Sequence, residues 1–541
     1  MLENPGFESD LGRKSSAHWE QGGSAPQGVD FLWDKKTKRS GKASASLSSE
    51  TAVGVKGAYF VQTIVDVPQD SVLMIEGYVR TSEGGKAWIW IDCSQGRGGS
   101  GWFDYATPSP RDSWIMDAPE WTKVWCRLVP PRGATVVEIR LMLFGKGQAW
   151  FDDFSATIVG EETARPYPAR MDGPGIAYAS GSYLVYGRQT GGKSVYTTPI
   201  PAAFEDQVPF FLDVKVTPPE YLSNYSIKER KGQDGNLLLE VEFKPIGKDE
   251  YVHLEWTSYV LLADREYDSV PRRVPISRKK DIPDAVREWL TPTRSVQSDH
   301  PEIVEKASEL KGDSDDILEI ARATLEFHQQ VIKGLRGAPS CAAVDTLHGG
   351  GACTSFANLT AALLRANGIP ARVMANYPTW GRAYATHYNV EFYVPEYGWY
   401  WLDTNVGKMP IKPFEQVVAT AVFPEDEDRS FEGGRNAAGG VPWGTLIQPV
   451  RAGQTGVTGA LDRRGSQTVA GPLCVFKDGS DRQWEKAAEI ARYVWMESLK
   501  RETKGKAVPA ALQLQRDAGE SRSLKEFLAT MQKAKKLYER R

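Results

Sequence analysis

The stretch GGGACTSFANLTAALLRANGIPAR, Gly349–Arg372, decides the fold. Three glycines run into a cysteine. From Thr354 onward Phe356, Leu359, Ala362 and Leu363 recur at helical spacing, until Gly368 and Pro370 end the run. The pattern predicts a helix largely buried in a core, with Cys353 in its first turn. Unpaired N–H groups and the positive end of the helix dipole stabilise an anion there. A thiol in that position ionises more readily, and the thiolate is the nucleophile. The glycines would let a substrate backbone approach closely, and the free N–H groups could hold an oxyanion. A buried, inert cysteine at a helix start has the same local sequence, so the assignment needs partners elsewhere in the chain.

The partners lie downstream. HYNVEFYV, His387–Val394, alternates strictly, with Tyr388, Val390, Phe392 and Val394 on one face and His387, Asn389, Glu391 and Tyr393 on the other. PEYG is a turn, and WYWLD is a second strand ending in Asp403. A nucleophilic cysteine needs a base within hydrogen-bond reach, and the base needs an orienting acceptor. Cys353, His387 and Asp403 supply those roles in that order. Register tests the idea. A symmetric loop over Pro395–Gly398 would pair Val394 with Trp399 and turn Asp403 to the wrong face. A shorter loop, Pro395–Tyr397, pairs Val394 with Gly398 and sets Asp403 opposite Asn389. Asp403 is then a diagonal neighbour of His387, about 7–8 Å away between backbones, a gap side chains bridge. The triad therefore demands an odd loop or a bulge.

The region from Met1 to Gly160 reads as an all-β sandwich. SVLMIEGYVRT, KAWIWID, TKVWCRLVPP and TVVEIRLMLFG are short strands bounded by Gly, Pro and Asp. In AWIWID, Trp88 and Trp90 share one face and Ile89 and Ile91 the other. If the isoleucines fill the core, two indoles form a platform of the kind that stacks on sugar rings. If the tryptophans are the buried face, no platform exists. Both readings stay open. The chain has five cysteines and no CxxC pair, which argues against a structural zinc site. Cys93 and Cys126 can pair or stand as two separate buried thiols.

Residues 163–280 read as a second β-sandwich, a spacer in which no chemistry is visible. Amphipathic helices follow in DHPEIVEKASELKG and DDILEIARATLEFHQQVIKG, with His328 on or beside the apolar stripe as a core histidine. After Asp403 the signal weakens through the acidic and glycine-rich EDEDRSFEGGRNAAGG. The tail is helical and includes a capping box at Ser523–Glu526. Four regions result: 1–160 and 163–280 as β-sandwiches, 281–430 as an α+β core, and 431–541 as a loop and helical extension.

Hydrophobic residues make up 41% and charged residues 25%, ordinary values for a globular protein. A net charge of -3 calls for neither nucleic acid nor an anionic membrane as partner. No apolar run is long enough to span a bilayer. The opening MLENPGFE has neither a basic n-region nor an apolar h-region. A secreted or cell-envelope location then requires that a leader has been removed, and a cytoplasmic one stays open.

GACTSFANLTAALLRANGIPARV, HYNVEFYVPEYGWYWLDTN and the helices before them resemble the transglutaminase-like core of the papain-like cysteine superfamily, over Asp299–Val406. The resemblance implies Cys353 as nucleophile, His387 as general base and acid, and Asp403 as the group that orients the imidazole. The family commonly carries tryptophan two residues after the histidine. Asn389 stands there, a departure that bears on the substrate groove. The family's second oxyanion donor is an upstream side chain, for which Gln329 and Gln330 are the candidates. The zinc-binding CxxC pairs of its peptide:N-glycanase branch are absent. The first region resembles jelly-roll carbohydrate-binding modules, through NPGFE at Asn4–Glu8, GKASASL at Gly41–Leu47, EGYVRT at Glu76–Thr81 and GQAWFDDFSA at Gly147–Ala156. That resemblance implies a structural calcium joining the first and last strands, with Glu8 and Asp152 as matching carboxylates.

The expected function is a cysteine-dependent amide-bond enzyme that forms a thioester acyl-enzyme. Catalysis needs no cofactor. Hydrolysis makes it a protease, amidase or deamidase acting on a protein or peptide, delivered to a glycosylated or cell-wall target by a module that binds polysaccharide or glycan. Capture of the acyl group by an amine makes it a cross-linking acyltransferase. A third reading is a non-catalytic carbohydrate- or protein-binding protein. Trp380 and Tyr384, in the loop PTWGRAYAT before His387, are expected to border the thiol as substrate-binding residues. Tyr388, Trp399 and Trp401 are further aromatic candidates for groove walls.

Overall fold

In a computed structural model of the chain, the described residues are 1–8, 19–22, 28–53, 58–94, 102–108, 115–116, 118–162, 164, 170–187, 194–229, 235–246, 251–265, 267, 270–335, 338–379, 387–427, 461–502 and 506–540. They form an all-β sandwich, a second β-sandwich, an α+β core and terminal helices, the architecture expected from the sequence. Among them, no helix is long and apolar enough to cross a membrane.

The first sandwich is organised by one long strand, Val136–Glu161. Its first half runs between Tyr59–Val65 and Gly85–Ser94. Beyond a register shift at Gly145–Gly147, its second half runs between Ser44–Val53 and Ser71–Thr81. One strand thus links both halves of a single ten-stranded sheet, as a strand does when it turns a sandwich corner. Ile89, Ile91, Ile139 and Leu141 face Leu47, Ile75, Val79 and Phe151 across a closed core. Cys93 and Cys126 lie buried in that core.

The second sandwich packs two sheets. One runs in the order Ser194–Ile200, Leu237–Phe243, Leu222–Glu229. The other runs Gln207–Thr217, Tyr251–Leu262, Gly175–Gly187, Leu461–Val475. The last strand comes from far downstream and pairs along the whole of Gly175–Gly187, from Gly175 opposite Val475 to Gly187 opposite Leu461. Its sequence, LDRRGSQTVAGPLCV, mixes charge, glycine and proline and carries no alternation, so it was not legible as a strand. The helices Asp481–Glu502, Pro509–Ala518 and Leu524–Glu539 bury Ile490, Val494, Phe527 and Met531 against Phe210, Phe211 and Leu261 of this domain. Ser523 caps the last helix by accepting the Glu526 N–H at 3.1 Å.

The second sandwich is more than a spacer. Its residues and those of the α+β core share one hydrophobic cluster, which runs from Trp256 and Leu254 to Tyr377, Phe392 and Leu363. Gln207 bonds both backbone groups of Val418, and Asn236 bonds both of Ala421. Strand Gln416–Val422 is therefore held on one side by the second domain and on the other by its own sheet. That antiparallel sheet has the order Gly398–Leu402, His387–Val394, Ala371–Pro378, Gln416–Val422. The helices Pro301–Lys311, Ile317–Gln330, Ala343–Gly349 and Cys353–Ala366 accompany it.

Candidate active site

The helix of the candidate nucleophile begins at Cys353, as its sequence predicts, with Ala352 as N-cap. Alanine has no side chain to cap the first N–H groups, which leaves them to an anion. Residues Thr354 to Arg365 are all buried, while Cys353 is half-buried and Gly351 and Ala352 are exposed at the mouth. The chain's own packing requires these glycines. A Cβ on Gly350, at φ +69°, would lie 2.7 Å from the Leu335 carbonyl oxygen, and one on Gly351, at φ +149°, would lie 2.4 Å from Ser355 Oγ. Side chains at these positions would push the helix start off its seat.

Register delivers the other two groups. Val394 pairs with Gly398 and Val390 with Leu402, the pairing that an odd loop requires. Tyr397 N–H closes that loop on the Val394 carbonyl at 3.1 Å. Asp403 follows directly, and its Oδ2 lies 2.5 Å from His387 Nε2. Asp403 is fully buried, and its Oδ1 accepts the N–H groups of Asn405 at 2.9 Å and Val406 at 3.0 Å. A backbone bridge between Asp403 and Lys408 closes the turn.

With Nε2 engaged by Asp403, the other nitrogen of His387, Nδ1, is left for Cys353. Burial alone would lower the His387 pKa. The hydrogen bonds and charges of Asp403 and Cys353 outweigh it and raise the imidazole to about 10. Burial likewise pushes the Cys353 thiol up, but the His387 hydrogen bond and charge, with the Tyr388 N–H, bring it below the ordinary thiol value. Both shifts favour a thiolate–imidazolium pair.

Beyond His387 the strand is buried on both faces. Asn389, where the family resemblance led us to expect tryptophan, accepts from Asn376 Nδ2 at 3.1 Å and donates to Gln416 Oε1 at 2.7 Å. This buried amide row was not foreseen, because its members sit on three strands far apart in sequence. Gln329 is no free oxyanion donor: its Nε2 donates to the Thr404 carbonyl and its Oε1 accepts Lys333 Nζ at 3.1 Å. Gln330 is exposed. Tyr388 and Trp401 are buried in the core. Trp399 is half-buried under the Arg372 guanidinium, 3.9 Å from its ring centroid. Trp380 and Tyr384 lie outside the described residues.

In the first domain Ile89 and Ile91 fill the core, so Trp88 and Trp90 take the outer face. A platform of two open indoles does not result. Trp88 is 3% exposed, packed 5.0 Å from the Trp90 ring and opposite the buried Met142, whereas Trp90 is half-buried. Arg140, paired with Trp90 across the strands, is bridged to Glu138 at 2.6 Å. Glu8 and Asp152 meet on one loop. Glu8 accepts the Lys42 N–H at 2.8 Å, and Asp152 accepts those of Arg39 at 2.8 Å and Ser40 at 3.3 Å. Burial raises the Asp152 pKa to about 6, against those N–H bonds. Among the described residues, no group of three or more His, Cys, Asp or Glu side chains is placed to hold a metal ion. A cation here would have to take the Asp152 oxygens from the amide hydrogens.

A thiol at a helix start, an imidazole and a buried carboxylate thus stand in hydrogen-bonded sequence. Residues 304–404 match the model of the transglutaminase-like superfamily. No curated protein matches the chain. Among solved structures, it is similar to a candidate cysteine protease from Cytophaga hutchinsonii, at 17% identity and a TM-score of 0.37 over 55% of this chain and 90% of that one. It is also similar to the CBM22-1 xylan-binding domain from Paenibacillus barcinonensis, at 17% identity and a TM-score of 0.23 over 29% of this chain and 93% of that one. A candidate protease from Parabacteroides distasonis aligns at 14% identity and a TM-score of 0.19, over 66% of this chain and 64% of that one.

Proposed function

We propose that the protein is a cysteine-dependent amide hydrolase acting on a protein or peptide. The observation that carries this reading is the unbroken line from Cys353 through His387 to the buried Asp403. The Cys353 thiolate attacks the amide carbonyl carbon, and the helix N–H groups meet the developing oxyanion. The C–N bond breaks as His387 gives its proton to the leaving amine. Water then loses a proton to His387 and attacks the thioester, and the thiolate leaves as the acid is released. Asp403 keeps the imidazole oriented throughout.

An acyltransferase would use the same triad and needs walls that admit an amine and exclude water. Of the described aromatics on the Asp403 strand's face, Trp401 is buried and Trp399 is half-buried under the Arg372 guanidinium, an arrangement that supports water as acceptor. The test is partitioning. A glutamine-containing peptide is supplied with increasing primary amine, and free acid is counted against amide product. Acid dominating at millimolar amine supports hydrolysis; amide dominating overturns it and leaves the triad standing.

For the first domain the proposal is polysaccharide or glycan binding on the face that carries Trp90 and Arg140, with a calcium on Glu8 and Asp152. This assigns the protein to a secreted or cell-envelope setting. Retention of the full chain on insoluble xylan or cellulose tests the first part. Thermal unfolding with calcium against chelator tests the second, where an unchanged midpoint counts against the metal.

A further inference from the structure

The residue after the candidate triad's aspartate is gripped from two helices. Thr404 Oγ1 lies 2.9 Å from Thr360 Oγ1 on the nucleophile helix. Its carbonyl accepts Gln329 Nε2 from the helix Ile317–Gln330. Gln329 also lies against the turn at Gly407, where an added Cβ would come 2.9 Å from Gln329 Cδ. Thr360 has one hydroxyl hydrogen and three neighbours: the Phe356 carbonyl at 2.7 Å, Thr404 Oγ1 and His328 Nε2 at 3.3 Å. A hydrogen given to the carbonyl obliges Thr404 and His328 to donate to Thr360. That network assigns the His328 proton to Nε2. It leaves Nδ1 as a buried acceptor without a partner, on a side chain with no exposure. Burial lowers the His328 pKa to about 3, so the imidazole stays neutral. A fully buried, half-satisfied imidazole is a cost an apolar core residue would avoid.

We infer that Thr404, held by Thr360 and Gln329 and by His328 through Thr360, is a positioning residue that registers the Asp403 carboxylate against the nucleophile helix. Thr360 lies two helical turns after Cys353 and on the same face. The helix that carries the thiol therefore also fixes the turn that carries the acceptor. Tilting of the helix moves both ends of the triad together, and the His387 imidazole stays matched to each.

The inference rests on the triad reading, and one experiment separates the two. The rate of Cys353 alkylation by iodoacetamide is measured against pH in the full chain, for the parent and for Thr404→Val, Thr404→Ser, Gln329→Leu and Thr346→Val. Thr346 is the control, a buried threonine whose hydroxyl bonds the Ala342 carbonyl at 2.8 Å outside the clamp. The expected result is a parent limb below the ordinary thiol range. Thr404→Val and Gln329→Leu raise it by about one pH unit, a tenfold loss of thiolate at a fixed lower pH. Thr404→Ser restores it, and Thr346→Val lowers only thermal stability. Gln329 is half-buried at its helix end, so its variant keeps the test open if Thr404→Val fails to fold. A parent with an ordinary thiol limb overturns the triad, and the clamp with it. A depressed parent limb that neither clamp variant moves overturns the clamp alone.

Discussion

Two strands of this molecule present the same pattern and meet different fates. In His387–Val394 and in Gly85–Ser94, alternation places two notable side chains on one face: His387 with Asn389, and Trp88 with Trp90. The first strand lies inside a sheet of the α+β core and is buried on both faces, so each polar side chain on it needs a specific partner. His387 has Asp403, Asn389 has Asn376 and Gln416, and Glu391 has Arg372. The second strand turns Ile89 and Ile91 into a core and its indoles outward, yet Trp88 is covered and Trp90 only partly so. Alternation settles which face a side chain takes. Exposure depends on what the rest of the chain lays over that face, and no local pattern contains it.

The sharpest break in this comparison is Cys353→Ala, which should abolish amide turnover, by about 10⁴-fold or more, while thermal unfolding stays near that of the parent. Turnover that survives would mean the buried strand serves structure alone. Asp403→Ala should cost less, about 10²–10⁴-fold, since the imidazole loses its orientation but not its proton. It should also pull the alkaline limb of the rate profile down from the region of pH 10 that His387 sets in the parent. The acid limb of the parent, set by Cys353, should fall below the ordinary thiol range, which a stopped-flow thiolate assay reads directly. On the other strand, Trp88→Ala should destabilise the first domain by about 3–5 kcal/mol, as loss of a buried indole does. Trp90→Ala should change stability less and polysaccharide retention more. Equal unfolding midpoints for the two variants would erase the distinction between them.

The placement of Cys353, His387 and Asp403 was legible because each carried its own local signal: a helix start after glycines, a strict alternation, and a loop whose parity sets a register. The fold class was legible for the same reason, since the strands of the first region and the helices before Cys353 each show their periodicity. What escaped has a common cause. Asn376, Gln416, Thr360 and Thr404 are ordinary polar residues, and their roles exist only where strands and helices distant in sequence meet. Gln329 was noticed as an amide near the site, but its partner at Thr404 could not be read from spacing. The strand Leu461–Val475 escaped because its pairing with Gly175–Gly187, rather than any pattern of its own, makes it a strand.

That last pairing makes the α+β core an insertion. Three strands of the second domain's larger sheet are complete by Leu262, and the fourth is synthesised only after the whole α+β core. Until Leu461–Val475 emerges, one side of Gly175–Gly187 is an open edge of thirteen residues. Such an edge is a template for pairing with another chain. During synthesis the nascent protein therefore passes through a stage in which Cys353, His387 and Asp403 have all been made and the sheet that supports their domain is not complete. A message cut short between those two points would release a polypeptide with the candidate site's residues in place and an edge exposed to aggregation, whereas a chain that runs through Leu461–Val475 closes that edge.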